Sequence, residues 1–268
     1  MQHTFLARTA LAAGALVLLA GCSSSDDKSG DTTQAGGIKL VKSGQLTTCT
    51  HLPYPPFQSI EGGKVVGFDV DLIDLVAKDL GVTQKIVDTP FENIKTGAAL
   101  NAGQCDVAAA GMTITDERKK NLDFSDPYFD ATQALLAKKG SGITSMDTAK
   151  GHKVGSQAST TGEDYVKAHG ADPVSFETSE AELNGLRSGQ VEVIVQDLPV
   201  VNGWLKDSAN SGFEIVANLD TGEQYGFAVK KDSNDELLAK VNSALSKARS
   251  DGTYDQLYSK WIGDKPTG

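Results

Sequence analysis

From about residue 40 onward, hydrophobic and polar positions switch repeatedly between two periods. Short apolar runs predict strands at Gln45–Thr50, Val65–Phe68, Gln84–Thr89, Asp106–Ala110, Lys153–Ser156, Pro173–Phe176, Val191–Gln196, Phe213–Val216 and Tyr225–Val229. Helical spacing marks Asp69–Leu80, Glu92–Ala102, Glu163–His169, Glu180–Ser188, Leu198–Leu205, Glu236–Ser250 and Tyr254–Trp261. The first of these is the clearest. Leu72, Ile73, Val76, Ala77 and Leu80 share one face and Asp71, Asp74, Lys78 and Asp79 the other, with Asp69 expected at the N-cap and Gly81 closing the C-terminus. Strands alternating with helices place the chain in the α/β class, with a largely parallel sheet covered on both faces. Such sheets bind ligands at the carboxyl ends of their strands.

Residues 1–22 break this pattern. One basic side chain, Arg8, precedes the apolar run Ala10–Ala20, which is short for a bilayer span, and small residues lead to Leu19-Ala20-Gly21-Cys22. This reads as a signal peptide. Its last four residues resemble the bacterial lipobox, which implies lipidation at Cys22 and a protein held at the outer face of the cell membrane. Residues 23–37 have almost no apolar content and read as a flexible linker. About 230 residues remain, more than one typical domain and short for two independent ones, so two lobes sharing one chain are expected.

Charge and cysteines narrow the picture. The formal net charge of −10, with no basic cluster, argues against nucleic acid or an anionic membrane surface as partner. The four histidines show no metal-ligand spacing, and neither a metal nor a cofactor is expected. Export would permit a disulfide between Cys49 and Cys105. On neighbouring parallel strands, however, an offset of about four residues would separate them by roughly 13 Å, so buried thiols are expected.

The candidate chemistry centres on Gly111-Met112-Thr113-Ile114-Thr115-Asp116-Glu117-Arg118. It follows a short apolar strand and leads into a polar helix, with Thr115 where an N-cap belongs. Unpaired N–H groups at such a turn attract an anion, and Arg118 could add a planar two-pronged donor matched to a carboxylate. Spacing alone equally allows a plain helix cap and a solvated arginine.

Longer stretches decide between these readings. Gly67-Phe68-Asp69-Val70-Asp71-Leu72-Ile73-Asp74-Leu75-Val76-Ala77 and Gly111–Arg118 followed by Leu122-Asp123-Phe124-Ser125-Asp126-Pro127-Tyr128 resemble the signature blocks of the solute-binding proteins of polar amino-acid ABC importers. Tyr54-Pro55-Pro56-Phe57, Val195-Gln196-Asp197-Leu198-Pro199, Gln224-Tyr225-Gly226 and Gly252-Thr253-Tyr254-Asp255 are similar too, in the same order. The resemblance implies the two-lobed periplasmic-binding-protein clamp. Residues 38–128 plus 226–268 would form lobe 1, residues 133–221 lobe 2, and residues 129–132 and 221–225 the hinge that closes on a ligand.

The same resemblance implies the site. Arg118 and the N–H of Thr113 would hold the ligand's α-carboxylate, with Thr161 closing on it from the second lobe. The Gly111 carbonyl, the Thr113 hydroxyl and Asp197 would take the α-ammonium. Tyr54 and Phe91 would stack on the aliphatic stem. His51 stands where binders of cationic amino acids have an aspartate, and Gln157 and Gln196 replace a lysine and a histidine of glutamine binders. Together these departures favour a polar, uncharged amino acid, while glutamate fits if His51 is protonated. The expected partners are that amino acid and a membrane ABC permease, with the protein a monomer. A ligand-sensing accessory protein and a small-molecule dehydratase are the competing readings. An enzyme needs a positioned acid or base beyond the ligand-gripping charges, and no nucleophile motif is present.

Overall fold

The computed structural model describes residues 34–35 and 37–263, so the signal peptide, Cys22 and most of the linker lie outside the described residues. Two paired strands, β1 (Gln34–Ala35) and β2 (Ile38–Lys39), precede β3 (Gln45–Thr50) and the hairpin of β4 (Ser59–Glu61) and β5 (Lys64–Val66). There follow α1 (Phe68–Asp79), β6 (Thr83–Asp88), α2 (Phe91–Lys95), α3 (Ala98–Asn101), β7 (Val107–Ala108), α4 (Asp116–Lys119) and β8 (Leu122–Phe124). The chain crosses through β9 (Phe129–Lys138) to β10 (Val154–Gln157), α5 (Thr161–Ala168), β11 (Val174–Phe176), α6 (Ser179–Ser188), β12 (Val193–Asp197) and α7 (Leu198–Leu205). A long strand, β13 (Phe213–Tyr225), brings it back to β14 (Ala228–Lys230), α8 (Asp235–Ser250) and α9 (Thr253–Trp261).

These strands build two five-stranded sheets of the same design. The first has the order β6-β3-β7-β14-β8 and the second β11-β10-β12-β9-β13. In each, the first three strands are parallel, and the fourth strand, β14 or β9, is antiparallel to both its neighbours. Helices cover the sheets because each presents an apolar stripe. On α1 that stripe is Phe68, Leu72, Ile73, Val76 and Ala77, all buried against the first sheet and the closing helices α8 and α9.

The two crossings between sheets are paired strands. Phe129 lies opposite Tyr225, Asp130 opposite Gln224 and Ala131 opposite Glu223, with a bulge between Leu219 and Glu223. Beneath them Phe57, Phe129 and Tyr225 pack with ring centroids 5.1–5.6 Å apart, a rigid apolar base for the crossing.

Several expectations need correction. Cys49 and Cys105 form a disulfide, their Cα atoms 5.6 Å apart. The thiol expectation placed Cys105 in the plane of the sheet. Strand β7 begins only at Val107, and Cys105 is packed with Phe91, Ile94 and Leu100 of α2 and α3 in the same cluster as Cys49. Asp69 is not the N-cap of α1. That place belongs to Gly67 (φ 145°), where a Cβ would lie 2.1 Å from the Phe57 carbonyl oxygen. Asp69 is instead fully buried, accepting from the Gly111 N–H (2.8 Å) and the Tyr128 hydroxyl (2.7 Å). Burial pushes its carboxyl up to about 7 despite those two bonds. The helix expected over Glu92–Ala102 breaks at Gly97 in the left-handed region, giving α2 and α3. The run Ala131–Ala137, where a hinge crossing at 129–132 and no strand are expected, is the interior of β9, and the strand expected at Phe213–Val216 extends to Tyr225.

Candidate functional site

Loops from the carboxyl ends of strands in both sheets converge on one narrow cavity with about 20 Å³ of free space. The first sheet contributes His51 and Tyr54 after β3, Gly111 and Thr113 after β7, and Phe91 and Arg118 from the starts of α2 and α4. The second contributes Gln157 at the end of β10, Thr160 and Thr161 after it, and Asp197 at the end of β12. Nine of the ten residues expected at a binding site thus line it. Gln196 does not: it lies behind the wall, its amide nitrogen on Glu182 (2.8 Å) and its oxygen 2.8 Å from the Tyr54 hydroxyl.

Local chemistry explains the shape of the first wall. Gly111 (φ 54°) passes so close to Tyr54 that a Cβ would meet the ring at 2.9 Å. Ile114 and Gly226 make the hydrogen bonds of the bridge between Thr113 and Tyr225, and the Thr113 N–H takes no part in them. Thr115 caps α4 by accepting from the Arg118 N–H (3.1 Å), and that turn directs the Arg118 side chain inward.

Arg118 is 7% exposed. Its guanidinium donates to the backbone carbonyls of Thr113 (2.8 Å) and Ser159 (3.4 Å) and lies 5.3 Å from the centre of the Phe91 ring. No carboxylate lies within 4.0 Å of it among the described residues. Burial lowers its pKa, and the charges of Glu223, Asp164 and Asp197 only partly offset this. An arginine keeps its proton even so, which leaves a desolvated cation without a counter-ion.

The second wall carries the opposite sign. Thr160 caps α5 by accepting from the Glu163 N–H (3.2 Å), and Ser159 before it sits in the left-handed region at φ 69°. Asp197 ends β12 with Pro199 in the first turn of α7, yet its carboxylate makes no capping bond. It accepts instead from the hydroxyls of Tyr54 and Tyr225 and the amide of Gln133. Burial raises its pKa to about 6, against the lowering effect of the tyrosine bonds, and the Glu223 charge adds to the rise. Behind it Glu182 is fully buried, its carboxyl held well above the usual range by burial and by Asp197. Among the described residues no cationic group lies within 4.0 Å of Asp197.

At the far end the wall is made of amides and one imidazole. Both ring nitrogens of His51 stand 3.2 Å from backbone carbonyls, those of Thr89 and Glu177. Gln58 and Gln157 give their amide N–H groups to the carbonyls of His51 (3.3 Å) and Glu177 (3.4 Å), and their Oε1 atoms are buried without a partner. Sequence reasoning missed Gln58, Gln133, Glu223 and the role of Tyr225. Gln133 had a signal, a lone amide in an apolar strand. Glu223 had none, because a charged residue beside a glycine reads as a turn.

The chain is similar to known proteins. The sequence profile of the bacterial extracellular solute-binding proteins, family 3, matches residues 46–264. A probable histidine-binding protein of Neisseria gonorrhoeae is 35% identical over 261 residues, covering 94% of this chain and 93% of its own. An ABC transporter glutamine-binding protein of Bacillus subtilis is 38% identical over 208 residues, covering 76% and 75%. Among solved structures, an ancestral arginine-binding protein bound to glutamine superposes with a TM-score of 0.77 at 44% identity, covering 82% of this chain and 99% of that one.

Proposed function

The chain belongs to the bacterial extracellular solute-binding proteins of family 3, an exported group whose relatives named above are binding proteins and not enzymes, and from that premise we propose that it captures an L-amino acid for an ABC importer. The observation that carries this reading is a pair of uncompensated charges in one cavity, Arg118 from the first sheet and Asp197 from the second. A zwitterion neutralises both at once. Its carboxylate would meet the Arg118 guanidinium, the free N–H of Thr113 and the loop at Thr161. Its ammonium would meet Asp197, the Gly111 carbonyl and the Thr113 hydroxyl, with Tyr54 and Phe91 against the stem. Because the two charges sit on different lobes, the ligand binds the closed arrangement more tightly than the open one, and that difference drives hinge closure.

The far wall supports a side chain that is polar and uncharged. Its donors are already committed to backbone carbonyls, while two glutamine oxygens are left as acceptors. An amide side chain supplies N–H donors to both; a carboxylate supplies none. No acidic residue stands at His51 to balance a cationic head. L-glutamine is the first candidate.

Lipidation at Cys22, delivery to a membrane permease and a monomeric state complete the proposal. A thermal-shift screen of the twenty amino acids tests it: a ligand at about a hundredfold excess over its Kd should add roughly 2.7 kcal/mol of stability. L-glutamine and few others are expected to shift the melting curve, and a flat screen would remove the assignment.

A further inference from the structure

Glu223 takes no part in the proposed grip on the zwitterion, yet one of its carboxylate oxygens accepts three hydrogen bonds in the cleft. It accepts from the Thr113 hydroxyl (3.0 Å), the Thr161 hydroxyl (2.9 Å) and the Gln133 amide (3.3 Å). These donors come from three places. Thr113 belongs to the loop after β7 of the first sheet, Thr161 opens α5 of the second, and Gln133 lies on β9 within the second. Glu223 itself sits on the return crossing, opposite Ala131 and directly after the bulge that includes Gly222 in the left-handed region.

We propose that Glu223 is a hinge-borne latch, a positioning residue that ties the two lobes together and sets the balance between the closed and open clamp. A single carboxylate oxygen collects a donor from each lobe only while the lobes are together. If they part, Thr113 and Thr161, whose hydroxyl oxygens are 3.4 Å apart, cannot both reach it. The Thr113 bond to this charged acceptor therefore counts toward the closed state alone, before any ligand arrives. A second consequence follows for the site. Each threonine hydroxyl has one proton, and Glu223 takes both, which leaves the Thr113 oxygen to act as an acceptor. An ammonium needs that orientation.

The inference rests on the two-lobed clamp of the proposed function, and its test separates the two. Spin labels at Asp116→Cys on α4 and Ala168→Cys on α5, both exposed positions, report the lobe separation by pulsed dipolar spectroscopy. Glu223→Gln in the ligand-free protein should raise the open-to-closed ratio about tenfold and weaken amino-acid affinity by up to that factor, while saturating ligand restores the closed distance. Thr113→Val, which removes the first lobe's hydroxyl donor, should shift the ligand-free distances in the same direction. Unchanged ligand-free distances in both variants would overturn the latch, even if affinity fell, since Glu223 would then act on the ligand directly. A wild-type chain whose distances ignore every amino acid, alongside a Glu223→Gln variant that opens, would overturn the proposed ligand and uphold the latch.

Discussion

The two sheets have the same strand order and the same reversed fourth strand, yet they bring opposite charges to the cavity. The first presents a cation, Arg118, held by backbone carbonyls and an aromatic ring. The second presents an anion, Asp197, held by two tyrosines and an amide. Each charge is buried in a frame of neutral groups that orient it without neutralising it. The difference teaches that topology places the loops and only the residues at the strand ends decide what they bind. The lobes also differ in bracing. The first is stapled by the Cys49–Cys105 disulfide, while the second contains no cysteine.

Breaking the charge contrast should have the largest effect. Arg118→Ala would leave the ligand carboxylate buried and unpaired, at about 3–5 kcal/mol of binding free energy, measured by titration calorimetry. Thermal stability of the ligand-free variant should not fall by a comparable amount, because the guanidinium is itself a desolvated, unpaired charge.

Removing the difference in bracing comes next. Replacing Cys49 and Cys105 together by alanine opens a loop of 56 residues and should cost about 2–4 kcal/mol of stability in denaturant unfolding. Ligand affinity should change much less, since neither sulfur lines the cavity.

Acidification sharpens the contrast because it neutralises Asp197 while Arg118 keeps its charge. As pH falls through about 6, Asp197 takes up a proton and loses its attraction for an ammonium, so affinity should fall toward tenfold per pH unit below that point. Ligand-free stability should move the other way. Asp197 and Asp69 have folded-state values of about 6 and about 7, above the unfolded value. The folded chain then binds more protons than the unfolded one between those limits, and these two groups add stability as pH falls through the window. Kd and melting temperature measured across it, for wild type and Asp197→Asn, separate the two effects: the variant should lose the acid-dependent fall in affinity.

The smallest expected effect falls on matched features. Thr115 and Thr160 cap the helices that begin at the cavity on either side. Thr115→Ala and Thr160→Ala should each lower stability by about 1 kcal/mol, read from chemical denaturation.

Much of this contrast is legible in the sequence. Arg118 is a candidate from its place at a helix start after a strand, where α/β sheets bind ligands, and the family resemblance is what favours it over a solvated surface charge and adds Asp197 at a strand end. The amphipathic face of α1 is equally plain, and its partners at Phe68 and Leu72 fall inside. What escapes is whatever depends on contact between distant segments. The disulfide follows from α3 folding Cys105 over the sheet, which the apolar run at Val107 does not reveal. Asp69 looks like a cap because nothing local shows that the Phe57 carbonyl leaves room there for glycine alone. Glu223 and Gln133 gain their meaning only once two crossings lie side by side. Strand β9 and the extension of β13 past Val216 escape for the same reason, since the end of β13 is held by the start of β9 and not by local propensity.

The central claim is that two opposed charges on separate lobes must be neutralised together. Calorimetric titration with L-glutamine, with its N-acetyl derivative and with its α-carboxamide, each keeping one terminal charge, addresses it directly. Tight binding of the free amino acid, with both derivatives weaker by at least about a hundredfold, is the predicted result. Either derivative binding as tightly as its parent would show that one wall alone holds the ligand, and would contradict the account.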